Sequence, residues 1–126
     1  MHSVTIMVAD VHNAYLQAPT SEKHFIICGS EFGIENIGKK ALITRDLYGG
    51  KCAGRYFWYH LTSCMKFLGF ECSPADLDVW MRESMQEEGI TKYYECVILY
   101  TDDFLVISGR GEAVLRNDIG KYFSLK

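Results

Sequence analysis

Apolar residues cluster along this chain, and their spacing within each cluster indicates an element. Ser3 to Ala9 is a short, β-branched, apolar run that reads as a buried strand ending at Asp10. Val11 to Gln17 mixes apolar and polar positions before Pro19, which predicts one or two helical turns. Phe25 to Cys28 and Lys40 to Arg45 read as further short strands, with a loop over Glu31 to Gly38 between them. Asp46 to Gly54 is irregular and carries three glycines. From Arg55 to Leu68 the positions Phe57, Leu61, Met65 and Leu68 fall on one helical face, and Gly69 is placed to end that helix.

The second half carries the strongest strand signals. Ser73 to Asp76 reads as a turn or helix start, Val79 to Met81 as a strand and Met85 to Lys92 as a polar tip. Tyr93 to Tyr100 and Phe104 to Ser108 are apolar runs separated only by Thr101, Asp102 and Asp103, which predicts a hairpin. After Gly109 and Gly111 a last helix is expected over Glu112 to Tyr122, with Val114, Leu115, Ile119, Tyr122 and Phe123 on its packed face. The pattern predicts an α+β fold: an antiparallel sheet with two main helices packed on one face.

Composition narrows the class. The chain has 126 residues, enough for one domain with a sizeable core. Its 48% hydrophobic content argues for a globular fold rather than disorder. No apolar run approaches the roughly 18 residues of a membrane helix, and the start lacks the features of a secretory signal. An intracellular protein without a membrane partner is expected. The five cysteines are odd in number and form no Cys-x-x-Cys pair, so they read as small buried side chains rather than disulfides or a zinc site. The net charge of −3 supplies no general grip on phosphates, so any hold on nucleic acid must come largely from elsewhere.

The candidate chemistry is acidic. Asp102 and Asp103 sit side by side at the expected hairpin tip, where aspartate is also common for turn geometry alone. Asp10 likewise follows an apolar strand. If that strand lies beside the hairpin, Asp10 and Asp102 converge at one edge of the sheet. Such convergence suits two divalent ions about 3.5–4 Å apart, which activate a hydroxyl and stabilise a leaving oxygen in phosphoryl transfer. Magnesium favours oxygen ligands of this kind.

The residues also carry a family resemblance. Asp10-Val11-His12-Asn13-Ala14-Tyr15-Leu16 resembles the D-V-x-N-A-[YF]-L stretch of reverse transcriptases from copia-type retrotransposons. Tyr100-Thr101-Asp102-Asp103 resembles their Y-V-D-D box, with Thr101 in place of valine. Asp46 to Tyr59 resembles S-L-Y-G-L-K-Q-A-P-R-x-W-Y, with Gly50 and Gly54 replacing a leucine and a proline. Leu68-Gly69-Phe70, Asp76 to Trp80 and Gly120 to Lys126 match further pieces in order, so the resemblance spans nearly the whole chain.

The resemblance implies a palm with a remnant of fingers, most of the fingers, the thumb and ribonuclease H being absent from residues 1–126. It implies an RNA-directed DNA polymerase using two Mg²⁺ ions, with Mn²⁺ as an alternative. Asp10 and Asp102 would hold both ions, Asp103 would assist, and Val11 would offer its backbone carbonyl. Tyr15 would lie under the incoming sugar, and Tyr48, Gly49 and Lys51 would support the templating pair. The partners would be an RNA or DNA template-primer and a dNTP, whose α-phosphate a primer 3′-hydroxyl attacks. The implied location is a cytoplasmic retrotransposon particle or the nucleus. Polymerisation by this stretch alone is not expected. Two other readings remain open: a non-catalytic remnant of a retrotransposon polyprotein, and a small acidic module that binds a divalent metal. Individual residues also have plainer roles open to them, Tyr15 as a core aromatic and Lys51 and Arg55 as solvated charges. Trp58 and Trp80 read as core, and His12 and His60 as surface or capping residues.

Overall fold

The computed structural model describes residues 4–85 and 91–126. The chain runs β1 (Thr5–Asp10), α1 (Ala14–Gln17), β2 (Pro19–Ile27), β3 (Lys40–Arg45), α2 (Ala53–Phe67), β4 (Glu71–Cys72), β5 (Val79–Met85), β6 (Lys92–Tyr100) and β7 (Asp103–Ser108). A C-terminal helical segment follows, α-helical over Gly111–Ala113, π-helical over Val114–Asp118 and 3-10 over Ile119–Lys121. Five strands form an antiparallel sheet in the order β1-β7-β6-β5-β4, and β2 and β3 pair separately.

Alternation along the strands gives the large sheet two unlike faces. The inner face carries Ala9, Trp80, Val97, Leu99, Phe104 and Val106, all buried. Against it pack Phe57, Leu61, Cys64 and Met65 of α2, with Val114, Leu115, Ile119 and Phe123 from the C-terminal segment. The fold is therefore a mixed α+β arrangement with its helices on one side of an antiparallel sheet. The outer face is left open. There Ile6, Ile107, Cys96 and Met81 lie in one register row, and Val8, Leu105, Ile98 and Val79 in the next.

Helix α2 ends where the sequence places its stop. Gly69 takes φ +83°, and Phe70 N–H donates to the Met65 carbonyl at 3.0 Å, which closes the last turn. The expected C-terminal helix exists but is not regular. A Cβ on Gly120 would lie 2.8 Å from the Leu115 carbonyl oxygen, so glycine is what permits the backbone to close up beside the widened turn.

Other elements differ in extent. The strand expected from Phe25 begins at Pro19, where a bulge before His24 absorbs the irregularity. Pro19 does stop α1, because Ala18 is already extended. The loop over Glu31 to Gly38 holds two 3-10 turns, and the strand expected at Val79 to Met81 continues to Met85. Most of the expected polar tip, together with Ser3, lies outside the described residues. Trp80 is buried as expected, but Trp58 is 39% exposed and stacks edge-on against Tyr59. It sits one position past Phe57, off the apolar stripe of α2.

Among the described residues one charged group lies wholly inside. Glu95 on β6 has no solvent exposure, and its oxygens accept hydrogen bonds from Arg82, Arg110 and Ser108 at 2.7–3.2 Å. Arg82 also donates to Asp118 and to the Leu68 carbonyl, both at 2.7 Å, with its guanidinium over the Phe70 ring. Burial alone would raise the Glu95 carboxyl, but bonds from Arg110, Arg82 and Ser108 outweigh it and hold the group below its ordinary 4.5.

Three outcomes follow. Gly120→Ala, stabilising by up to about 1 kcal/mol in an ordinary helix, should instead destabilise by about 1–2 kcal/mol in urea unfolding, because its methyl meets backbone. Glu95→Leu should cost about 3 kcal/mol or more, since two guanidinium groups lose their buried partner. Because the folded carboxyl titrates below its unfolded value, the Glu95 contribution is complete above about pH 4.5 and is lost as pH falls through the lower folded value. Stability measured against pH should show this acid loss in the parent chain, and less of it in Glu95→Gln.

Candidate metal centre

The centre is built by strand register. β1 runs antiparallel to β7 with Asp10 opposite Asp103, and β7 pairs with β6 so that Tyr100 also faces Asp103. Directly paired residues share a face, so Asp10 and Asp103 both belong to the outer face. Asp102 occupies the turn between β6 and β7. Its carbonyl accepts a hydrogen bond from Val11 N–H at 2.8 Å, which ties the hairpin tip to the residue after β1. Asp10, Asp102 and Asp103 can each offer a carboxylate oxygen with all three within 4.8 Å of one another. The convergence that the sequence left conditional is present.

Backbone conformations shape both corners. Asn13 follows at φ +49°, a left-handed conformation that asparagine tolerates, and this turns the chain into α1. At the hairpin Thr101 has φ +55° while Asp102 does not share the positive φ. A positive φ at the first residue of a two-residue hairpin turn favours glycine. A β-branched side chain there stores strain of about 1–3 kcal/mol beside the acids.

A cation is already near. The segment Ser124–Lys126 lies along the far side of the β1 end. Asp10 N–H donates to the Lys126 carbonyl at 2.9 Å, and Lys126 N–H returns a bond to the Asp10 carbonyl at 2.8 Å. This short ladder sets Lys126 Nζ 2.9 Å from Asp10 Oδ2. The hydrogen bond to Asp10, with the fields of Asp10, Tyr48 and Asp102, holds the Lys126 ammonium above its ordinary range. The pair is largely exposed, so its stabilising effect is small. Sequence reasoning did not assign Lys126 this position, because it depends on a strand bridge, Val11 to Leu125, that no local pattern announces.

The remaining residues divide. Val11 is buried in the core by its side chain, with its backbone beside the hairpin tip. Tyr15 is half-buried and packs on Tyr48, ring centroids 4.7 Å apart, and edge-on against Phe57 at 5.9 Å. It is thus both a core aromatic and the wall that supports Tyr48. Gly49 takes φ +89° at an exposed turn. Lys51 is exposed, on the side of Glu22 of β2. Asp46 is buried with Oδ2 unpartnered, which its position in an irregular segment did not suggest.

The donor set fits a hard divalent cation. It consists of carboxylate oxygens without histidine or cysteine, as magnesium or manganese requires. The three oxygens lie within 4.8 Å of one another, close to the about 4.2 Å across an octahedron of Mg–O bonds near 2.1 Å. In comparison with known proteins, no family model, curated protein or solved structure matches the chain.

Relief of the hairpin strain is measurable. Thr101→Gly should raise the unfolding free energy by about 1 kcal/mol, whereas the same change at an ordinary strand position lowers it by a similar amount. Paired urea melts of Thr101→Gly and Thr44→Gly, on β3, give the contrast.

Proposed function

We propose that the chain is the metal-binding palm region of a copia-type reverse transcriptase, an RNA-directed DNA polymerase. The observation that carries this reading is the meeting of Asp10 with Asp102 and Asp103. These acids come from two motifs about ninety residues apart in the sequence; strand register sets Asp10 and Asp103 on one face, with Asp102 in the adjoining turn. A turn aspartate needs no such neighbour, whereas a site that binds divalent ions for phosphoryl transfer does.

In this reading Asp10 and Asp102 hold Mg²⁺ or Mn²⁺, Asp103 assists, and the Val11 backbone lies beside them. The bound ions supply the charge that activates a primer 3′-hydroxyl and stabilises the leaving pyrophosphate of a dNTP. The chain's own part is positioning. The β1–β7 ladder fixes the acids, and Tyr15 backed by Phe57 presents Tyr48 at the side of the site. The net charge of −3 assigns the grip on a template-primer to other surfaces. The antiparallel sheet with its helices on one side and an open face ending at the acids is in keeping with this reading.

A second reading has one observation in its favour. The ion pair of Lys126 with Asp10 already neutralises part of the cluster, as suits a remnant that keeps the fold without the chemistry. Metal titration separates the two. The polymerase reading expects Mn²⁺ to bind the chain in the millimolar range or tighter, and Asp102→Asn to weaken that binding by about 10-fold or more. Calorimetry or Mn²⁺ spin resonance reads it. Binding that Asp102→Asn leaves unchanged would sink the assignment and leave the remnant.

A further inference from the structure

We propose that Lys126 is a built-in counter-ion of the acidic centre, held on Asp10 by strand register and displaced when a divalent cation binds. This role rests on the metal-binding reading of Asp10, Asp102 and Asp103 and adds a residue to that site.

Register fixes Lys126 more firmly than its long side chain suggests. The backbones of Asp10 and Lys126 exchange both of their hydrogen bonds, at 2.9 and 2.8 Å. They are thus a directly opposed antiparallel pair, and opposed residues share a face. The neighbouring positions agree, with Val11 bridged to Leu125 and His12 N–H donating to the Ser124 carbonyl at 2.8 Å. Gln17 of α1 fastens the same segment. Its side-chain oxygen accepts from Ser124 N–H at 2.9 Å, and its amide donates to the Ser124 carbonyl at 3.2 Å. Lys126, Asp10 and Asp103 therefore form one row across the outer face, with Tyr100 next in it.

Three carboxylates whose oxygens come within 4.8 Å of one another repel unless a cation stands among them. Lys126 Nζ supplies one, 2.9 Å from Asp10 Oδ2. A divalent ion would do the same with twice the charge and at closer range, Mg–O bonds being near 2.1 Å. Through a shared Asp10 oxygen the two cations would lie at most about 5 Å apart, so they repel and the weaker-held one leaves. The lysine is the one able to go. Its side chain is 63% exposed and its hold is a single surface ion pair, which water replaces at small cost. The main-chain ladder is untouched by that exchange, which asks only for rotation of the lysine side chain.

Lys126→Met removes the ammonium and keeps the ladder. Calorimetric titration of this variant with Mn²⁺ should show binding about 2- to 5-fold tighter than the parent's, the gain from losing one exposed ion-pair competitor. Lys40→Met, on β3 in the other sheet, makes the same change of net charge and should stay within about 1.5-fold of the parent at physiological salt. Nitrogen-15 spectra of the parent supply a second readout. The Lys126 ammonium signal should move as Mg²⁺ is added, toward its position in metal-free Asp10→Asn, where the ion pair is already lost. If Lys126→Met binds Mn²⁺ no more tightly than the parent, or Mg²⁺ leaves the ammonium signal in place, the proposal is overturned while the metal reading stands. Absence of Mn²⁺ binding in both the parent and Lys126→Met sinks that reading and the proposal with it.

Discussion

A carboxylate without access to water stays charged only if donors replace the water, and Glu95 imposes that demand on much of the fold. Arg82 on β5, Ser108 on β7 and Arg110 beyond it meet the demand, and Arg82 reaches on to Asp118 and to the carbonyl of Leu68. Three strands, the end of α2 and the C-terminal helical segment are thereby held at one point. That segment in turn delivers Ser124–Lys126 to β1. The position of the ammonium beside Asp10 thus depends on a buried ion cluster at the other end of the same strands. Replacing such a cluster whole with apolar groups is often neutral, whereas removing one member is not. Its contribution here is a fixed arrangement more than net free energy.

Much of the architecture was legible because burial leaves periodic traces. The α2 stripe, the β6–β7 hairpin and the strand before Asp10 all fell where spacing put them, although that strand, expected to be buried, is an edge with Val4, Ile6 and Val8 exposed. The misses share a cause. Pro19 to His24 is polar and bulged, so nothing in its pattern distinguishes an edge strand from a loop. Glu95 stands at an inward position of β6, where alternation would call for an apolar residue. Its partners lie 13 to 15 residues away, beyond any local signal. The π-helical turn was hidden for a related reason: a glycine inside a helical pattern does not reveal that a carbonyl has moved up against it.

The candidate site was half legible. Two aspartates in a turn and one after a strand carried the right residue types, but their meeting required the β1–β7 pairing, a contact across more than ninety residues. Thr101, in place of a valine, keeps the β-branch; its positive φ makes it a strained residue. Lys126 could not be placed without the ladder that holds it. Tyr15 shows that core and site roles need not exclude one another, since its ring packs on Phe57 and on Tyr48 together.

The open sheet face gives the three acids an unusual setting. Asp10 and Asp103 continue the register of an apolar floor made by Val8, Leu105 and Ile98, with water on the side away from the helices. A layer laid over that floor, whatever its origin, would replace water with low-dielectric material only one row from the carboxylates. Charge attraction there would strengthen as screening fell, for a divalent ion more than for a lysine. The affinity of the cluster for metal is thus linked to the wetness of a surface that touches no ligand.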